Sequence, residues 1–247
     1  MTIKTKLTSF TLLWLTLALT STASAQETLD TRIGKLEFTH DFANGYPTDE
    51  TVTKLFDEMD FQRAVQAYIW SIPLMGFEYW QDKQNNELGL ANGQLVYMVT
   101  YDEKVCCLTL NVTTPYVQGF IDLRASGPMV IEVPEGGQVR GATHDMWQIQ
   151  IAQMTRPGKY LFVGPYQEVP PEAESDGFVI NHSPMNDMFV GIRLMPEDEK
   201  AREALLKQVK VYPYKDRKNP KVHPAKRPTR PWYAHAPRDM EYWKTLH

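Results

Sequence analysis

Residues 95–133 read LVYMVTYDEKVCCLTLNVTTPYVQGFIDLRASGPMVIEV. Four runs rich in branched and aromatic side chains stand out, at 95–101, 105–111, 116–123 and 129–133. Between them lie Asp102-Glu103-Lys104, Thr114-Pro115 and Ala125-Ser126-Gly127-Pro128, all turn-forming residues. Strands that recur about every 10 residues with tight turns argue for antiparallel packing rather than alternating βα units. Further strands are expected at 147–154 and 159–163. The fold class that follows is mainly β, an antiparallel sandwich with helices at both ends.

On the N-terminal side, Thr48 can cap a short helix running to about residue 59. A second helix is expected from Asp60. Its Phe61, Ala64, Val65, Tyr68, Ile69 and Ile72 follow the i, i+3, i+4 spacing of one buried face. Pro73 marks a kink or stop, and 74–80 is apolar enough to continue as a packed helix. On the C-terminal side, helices are expected over 186–194 and 197–207. Ser183 and Pro184 supply the cap and first position of the former.

The 247 residues are 43% hydrophobic and 23% charged, which excludes a disordered chain. The formal charge of -4 argues against a globally basic nucleic-acid binder, and no nucleic-acid partner is expected. The first 25 residues have the three parts of an export signal. Lys4 and Lys6 give a positive start, 10–19 reads FTLLWLTLAL, and Ala23-Ser24-Ala25 offers a cleavage site before Gln26. Removing the two lysines leaves 24 basic against 30 acidic residues, a mature charge of about -6. The mature chain has no transmembrane-length apolar run, so a periplasmic or secreted protein is expected.

The mature chain divides into a lead-in over 26–47, a folded domain over 48–212, a basic Pro-rich linker over 213–236 and a truncated helix stub over 237–247. Residues 215–230 hold seven Lys or Arg and one acid, Asp216, punctuated by prolines. That composition reads as an extended linker. The stub carries Tyr242 and Trp243 with nothing obvious to cover.

A series of phrases occurs in order: 64–73 (AVQAYIWSIP), 111–116 (NVTTPY), Ile121-Asp122-Leu123, 127–130 (GPMV), Val133-Pro134, Asp145-Met146-Trp147, 158–165 (GKYLFVGP) and Ser183-Pro184. Over about residues 55–215 the chain resembles the bacterial exported family catalogued as domain of unknown function 1254. The resemblance implies an immunoglobulin-like β-sandwich with N-terminal helices. It also implies a second, jelly-roll-like domain beyond a Pro-rich linker. This chain ends at His247, where that domain's leading helix would begin. The expectation is a single-domain member, a truncated product, or half of a pair whose jelly-roll partner is a separate chain. The family phrase resembles Asn-x-Asp-Thr-x-Tyr, and here Thr113 stands at the Asp position. Threonine does not ionise in the useful range, which weakens an enzymatic reading.

The remaining chemistry is sparse. The sequence contains no Gly-x-Ser-x-Gly, P-loop, dinucleotide fingerprint, HxH, HExxH or CxxC. No metal site is expected and no motif assigns a cofactor. The vicinal Cys106 and Cys107 read as two strand residues on opposite faces. His144 and Asp145 are the most chemical-looking neighbours and the candidate catalytic pair. Asn111, Thr114, Tyr116, Trp147 and Arg193 are the candidate ligand-binding residues. Arg193 is expected to be buried and paired with Asp122 or Asp145. Two functional readings follow. One is a sandwich that binds a small molecule or envelope component, or scaffolds a partner. The other is a periplasmic hydrolase or lyase in which His144, Asp145, Asn111 and Tyr116 converge.

Overall fold

The structure, a computed structural model, describes residues 26–247 apart from 108 and 137. The export signal expected over 1–25 lies outside the described residues. The chain forms two compact units, one up to Ala67 and the other from Tyr68 to His247.

In the first unit, β1 (Glu27–Thr31) and β2 (Gly34–Phe38) make an antiparallel hairpin. The lead-in is therefore an ordered element. Thr48 Oγ1 accepts from the Thr51 amide at 3.3 Å, the expected cap. Helix α1 runs from Asp49 to Asp82, its last turns belonging to the second unit. It is one helix, where two had been expected on either side of residue 60. Pro73 sits inside it without ending it. The carbonyl of Tyr68, in the turn before the proline, accepts from the Ser71 and Tyr242 hydroxyls at 3.2 and 3.1 Å. The face read as buried is not: Phe61 and Ile69 are 64% and 56% exposed, and Val65 and Ile72 are exposed too. It is Phe77 and Trp80, further along the helix, that pack on the sheet.

The second unit continues with β3 (Val96–Met98), β4 (Tyr116–Asp122), α2 (Leu123–Ser126), β5 (Met129–Val133), β6 (Val139–Asp145), β7 (Gln150–Met154) and β8 (Gly158–Val163). It closes with β9 (Phe178–His182), β10 (Asp187–Leu194), α3 (Glu199–Leu206), β11 (Lys210–Pro213) and α4 (Met240–Leu246). One sheet has the order β3-β4-β10-β6-β7 and the other β11-β5-β8-β9. Val117, Ile121, Val190, Ile192 and Met154 from the first sheet meet Ile131, Phe162 and Val211 from the second in one core. The mainly β, sandwich-like architecture expected from the sequence is thereby present. The pairing is antiparallel except between β8 and β9, which run parallel.

The segment read as a helix over 186–194 is β10, the central strand of the five-stranded sheet. Met188, Val190, Ile192 and Leu194 are fully buried and alternate with Phe189, Gly191 and Arg193 on the other face. Period two, not 3.6, governs the segment. Ser183 accordingly caps no helix; its hydroxyl donates to the Met185 carbonyl at 2.6 Å. Among the described residues of 105–111, the expected strand is also absent. A 3-10 turn at Asp102–Lys104 leads into irregular chain there, and Lys104 explains why. Its side chain is 2% exposed, and Nζ donates to the carbonyls of Asn111, Val112 and Thr114 at 3.0, 3.3 and 2.7 Å. A chain curled around an ammonium cannot also lie in a ladder.

The basic segment is extended, as its prolines dictate, but it is bound to the domain. Lys226 exchanges backbone hydrogen bonds with β3, donating to the Leu95 carbonyl at 2.8 Å and accepting from the Tyr97 amide at 2.9 Å. Arg227 meets Glu103 at 2.8 Å, and Arg230 meets Glu87 at 3.1 Å. Trp232 is 1% exposed. The C-terminal aromatics are covered too. Tyr242 is buried, its ring 4.6 Å from that of Tyr68 and its hydroxyl 2.7 Å from Ser71 Oγ.

Candidate functional site

Strand register places nine residues on the outer face of the five-stranded sheet as a three-by-three grid. One row is Tyr116, Arg193 and Arg140, on β4, β10 and β6. The middle row is Gln118, Gly191 and Ala142, and the third is Phe120, Phe189 and His144. The middle row is low, because its centre and one flank carry almost no side chain. At Gly191 an added Cβ would lie 2.8 Å from Phe189 Cε1, so the ring leans over a position that only glycine leaves open. A basin of about 410 Å³ results, walled by Trp80 and Leu110 and bounded by the cationic row on one side and Phe189 and His144 on the other.

The cationic row is held by its neighbours. The Arg193 guanidinium lies 5.1 Å from the Tyr116 ring centroid, and Lys104 Nζ lies 5.4 Å from it. Arg193 and Arg140 are directly opposed across β10 and β6, and both are exposed at the rim. Arg193 is thus neither buried nor set against Asp122 or Asp145, contrary to expectation. Asp122 Oδ1 caps α2 by accepting from the Arg124 and Ala125 amides at 2.8 and 3.0 Å. Asp145 Oδ1 accepts from the Ile149 amide at 2.9 Å. Among the described residues, no Asp or Glu lines the basin.

His144 faces the basin while Asp145, one residue on, is 4% exposed and turned from it. Burial pushes the His144 imidazole below its ordinary range, against the pull of the Asp145 charge. Its Nδ1 is buried without a partner. Asn111 is exposed, and its Oδ1 is occupied by the Thr113 amide and hydroxyl and the Thr114 amide, at 2.8, 2.7 and 3.0 Å. That is an Asx turn rather than a ligand contact. Thr113, at the position where the family phrase has Asp, is part of the same turn. Trp147 stacks on Trp70, ring centroids 4.2 Å apart, and does not line the basin. The structure therefore gathers Tyr116, Arg193 and His144 and leaves Asn111, Thr114, Asp145 and Trp147 outside. Sequence reasoning missed Arg140, Gln118, Phe189 and Trp80. The alternation in 139–145 (VRGATHD) was the signal that could have placed Arg140 beside Arg193.

Residues 94–213 match the family model described as Protein of unknown function (DUF1254). The chain is DUF1254-like over that stretch. The DUF1254 match takes in every strand from β3 to β11 and all of the basin except Trp80. No curated protein matches the chain. Among solved structures, the VPA0106 protein from Vibrio parahaemolyticus is similar at 16% identity and a TM-score of 0.45. The similarity covers 67% of this chain and 41% of that one, so this chain spans less than half the length of that protein.

Proposed function

We propose that this chain is an exported β-sandwich protein that binds a small organic anion in the outer-face basin. The observation that carries the reading is the grid: a cationic row, a low row and an aromatic row in register on one face. At roughly 3.3 Å per residue, the Arg193 and Phe189 rows lie about 13 Å apart. That distance fits an acid of one or two rings, its carboxylate or phosphate against the guanidiniums and its body over Gly191 and Ala142. Arginine forks suit both anions. The hydrolase or lyase reading has less support, because Asp145 and Asn111 do not reach the basin that His144 and Tyr116 share.

Calorimetric titration with benzoate and phenyl phosphate, beside neutral benzamide, tests the binding. The two anions should bind and weaken with added salt, while benzamide should not bind. Arg193→Gln should lower anion affinity about 10- to 100-fold, the scale of one charged hydrogen bond. Equal binding of benzamide, or no binding by either anion, defeats the proposal.

Export is tested separately. Expression of the full chain in a bacterial host should give a periplasmic or secreted product beginning at Gln26. A product that keeps Met1 and stays with the cytosol or membrane counts against it. Among the described residues, no helix is long and apolar enough to cross a membrane.

A further inference from the structure

A second site lies where the expected 105–111 strand failed to form. Because the chain turns there, the two cysteines do not point to opposite faces. Cys106 Sγ and Cys107 Sγ are 3.3 Å apart, and both thiols are free. Cys106 Sγ is also 3.9 Å from Met98 Sδ, on β3. Cys106 Sγ thus lies within 4 Å of a sulfur on each side, one from its neighbour and one from β3, and Cys106 and Met98 are each at most 1% exposed. Both cysteines line a cavity of about 540 Å³ with Phe77, Trp80 and His235, which gives a small ion a route inward.

We propose that Met98, Cys106 and Cys107 form a site for a soft monovalent d¹⁰ metal ion, Cu(I) by preference. Thiolate and thioether donors select such ions. Among the described residues no group of three or more His, Cys, Asp or Glu could hold a metal ion, so the harder dications that want nitrogen and oxygen find no set here. Trigonal coordination with metal–sulfur bonds of ~2.3 Å puts the sulfurs about 4 Å apart. The Cys106–Met98 separation of 3.9 Å already meets that requirement. The Cys106–Cys107 separation of 3.3 Å has to open by about 0.7 Å, and the Cys107 rotamer sets its distance to Met98. Binding displaces the thiol protons: Cu⁺ and two thiols give a bis-thiolate complex with the Met98 sulfur as third donor, and two protons leave. No electron is transferred.

The test uses the whole mature chain, reduced with a phosphine under nitrogen and titrated with Cu(I) against bathocuproine disulfonate. One equivalent should be retained by the protein, with tighter retention as pH rises, and X-ray absorption should show three sulfurs at ~2.3 Å. Met98→Leu conserves volume and should keep the fold. It should weaken retention about tenfold and reduce the sulfur count to two. Cys107→Ser, at a half-buried position, should abolish retention. Complete transfer of copper to the chelator overturns the proposal. So does a Met98→Leu protein that holds copper as wild type does, or a Cys106–Cys107 disulfide that survives the phosphine.

Discussion

Val190→Asp is expected to give no folded protein. Val190 is fully buried at the centre of β10, paired with Gly119 of β4 on one side and Thr143 of β6 on the other. Val190→Ala removes roughly 2 kcal/mol of packing and leaves a small void. Aspartate adds the desolvation of a carboxylate with no cation in that core, a penalty of several kcal/mol. The sum approaches the whole stability of an ordinary domain. Arg193→Asp, three residues on and on the other face, should fold normally. Circular dichroism and a urea melt of the two variants decide the matter. A Val190→Asp protein that melts cooperatively near the wild-type midpoint would show that residue 190 does not face the core.

The second large effect concerns Lys104. Lys104→Met keeps most of the buried stem and deletes the ammonium. The three carbonyls it holds then lose their donor, and the 105–114 turn loses the group around which it is wound. A loss of about 2–4 kcal/mol is expected, or roughly 5–15 °C in melting temperature for a chain of this size. The pH dependence has a definite sign. Burial lowers the Lys104 pKa, and the Glu103 charge only partly opposes this. A cation whose folded pKa is depressed binds its proton more weakly folded than unfolded. Stability from this group therefore rises as pH climbs from the folded pKa toward the ordinary lysine value of 10.5. Lys104→Met should erase that alkaline rise. A melting temperature within about 2 °C of wild type would refute the structural role.

Residues 116–123, 129–133 and 159–163 were legible as strands because their apolar runs end at unambiguous turn residues, and the structure places β4, β5 and β8 there. Residues 186–194 misled for a physical reason. Phe189 lies under Phe77 and Trp80, so the outward face of β10 is apolar at that end. The period-two signal shows only from Val190 to Leu194, and the preceding Ser-Pro pair imitates a helix cap. The 105–111 run has strand composition, yet nothing local shows that Lys104 will gather three carbonyls seven to ten residues away. Phe61, Val65 and Ile69 keep helical spacing with no cover, which a pattern cannot distinguish from a buried face. The basin was half legible. Tyr116 was chosen as a polar residue where a strand meets a turn, and Arg193 as a buried arginine wanting a carboxylate. Arg140, Gln118 and the glycine floor exist as a site only through the register of three strands that are far apart in sequence.

The Lys226 pairing has a consequence for solubility. β3 is an outer strand of its sheet, and its unused amides and carbonyls would otherwise template another chain. The strap takes the Tyr97 amide and the Leu95 carbonyl for itself. Pro224 and Pro228 stand on either side of Lys226, and Lys221, Arg227 and Arg230 charge the new border. A proline has no N–H to offer, so this border cannot easily recruit a further strand. The stretch that looked like spare linker thus acts as a selvedge, finishing the sheet against unravelling into aggregates.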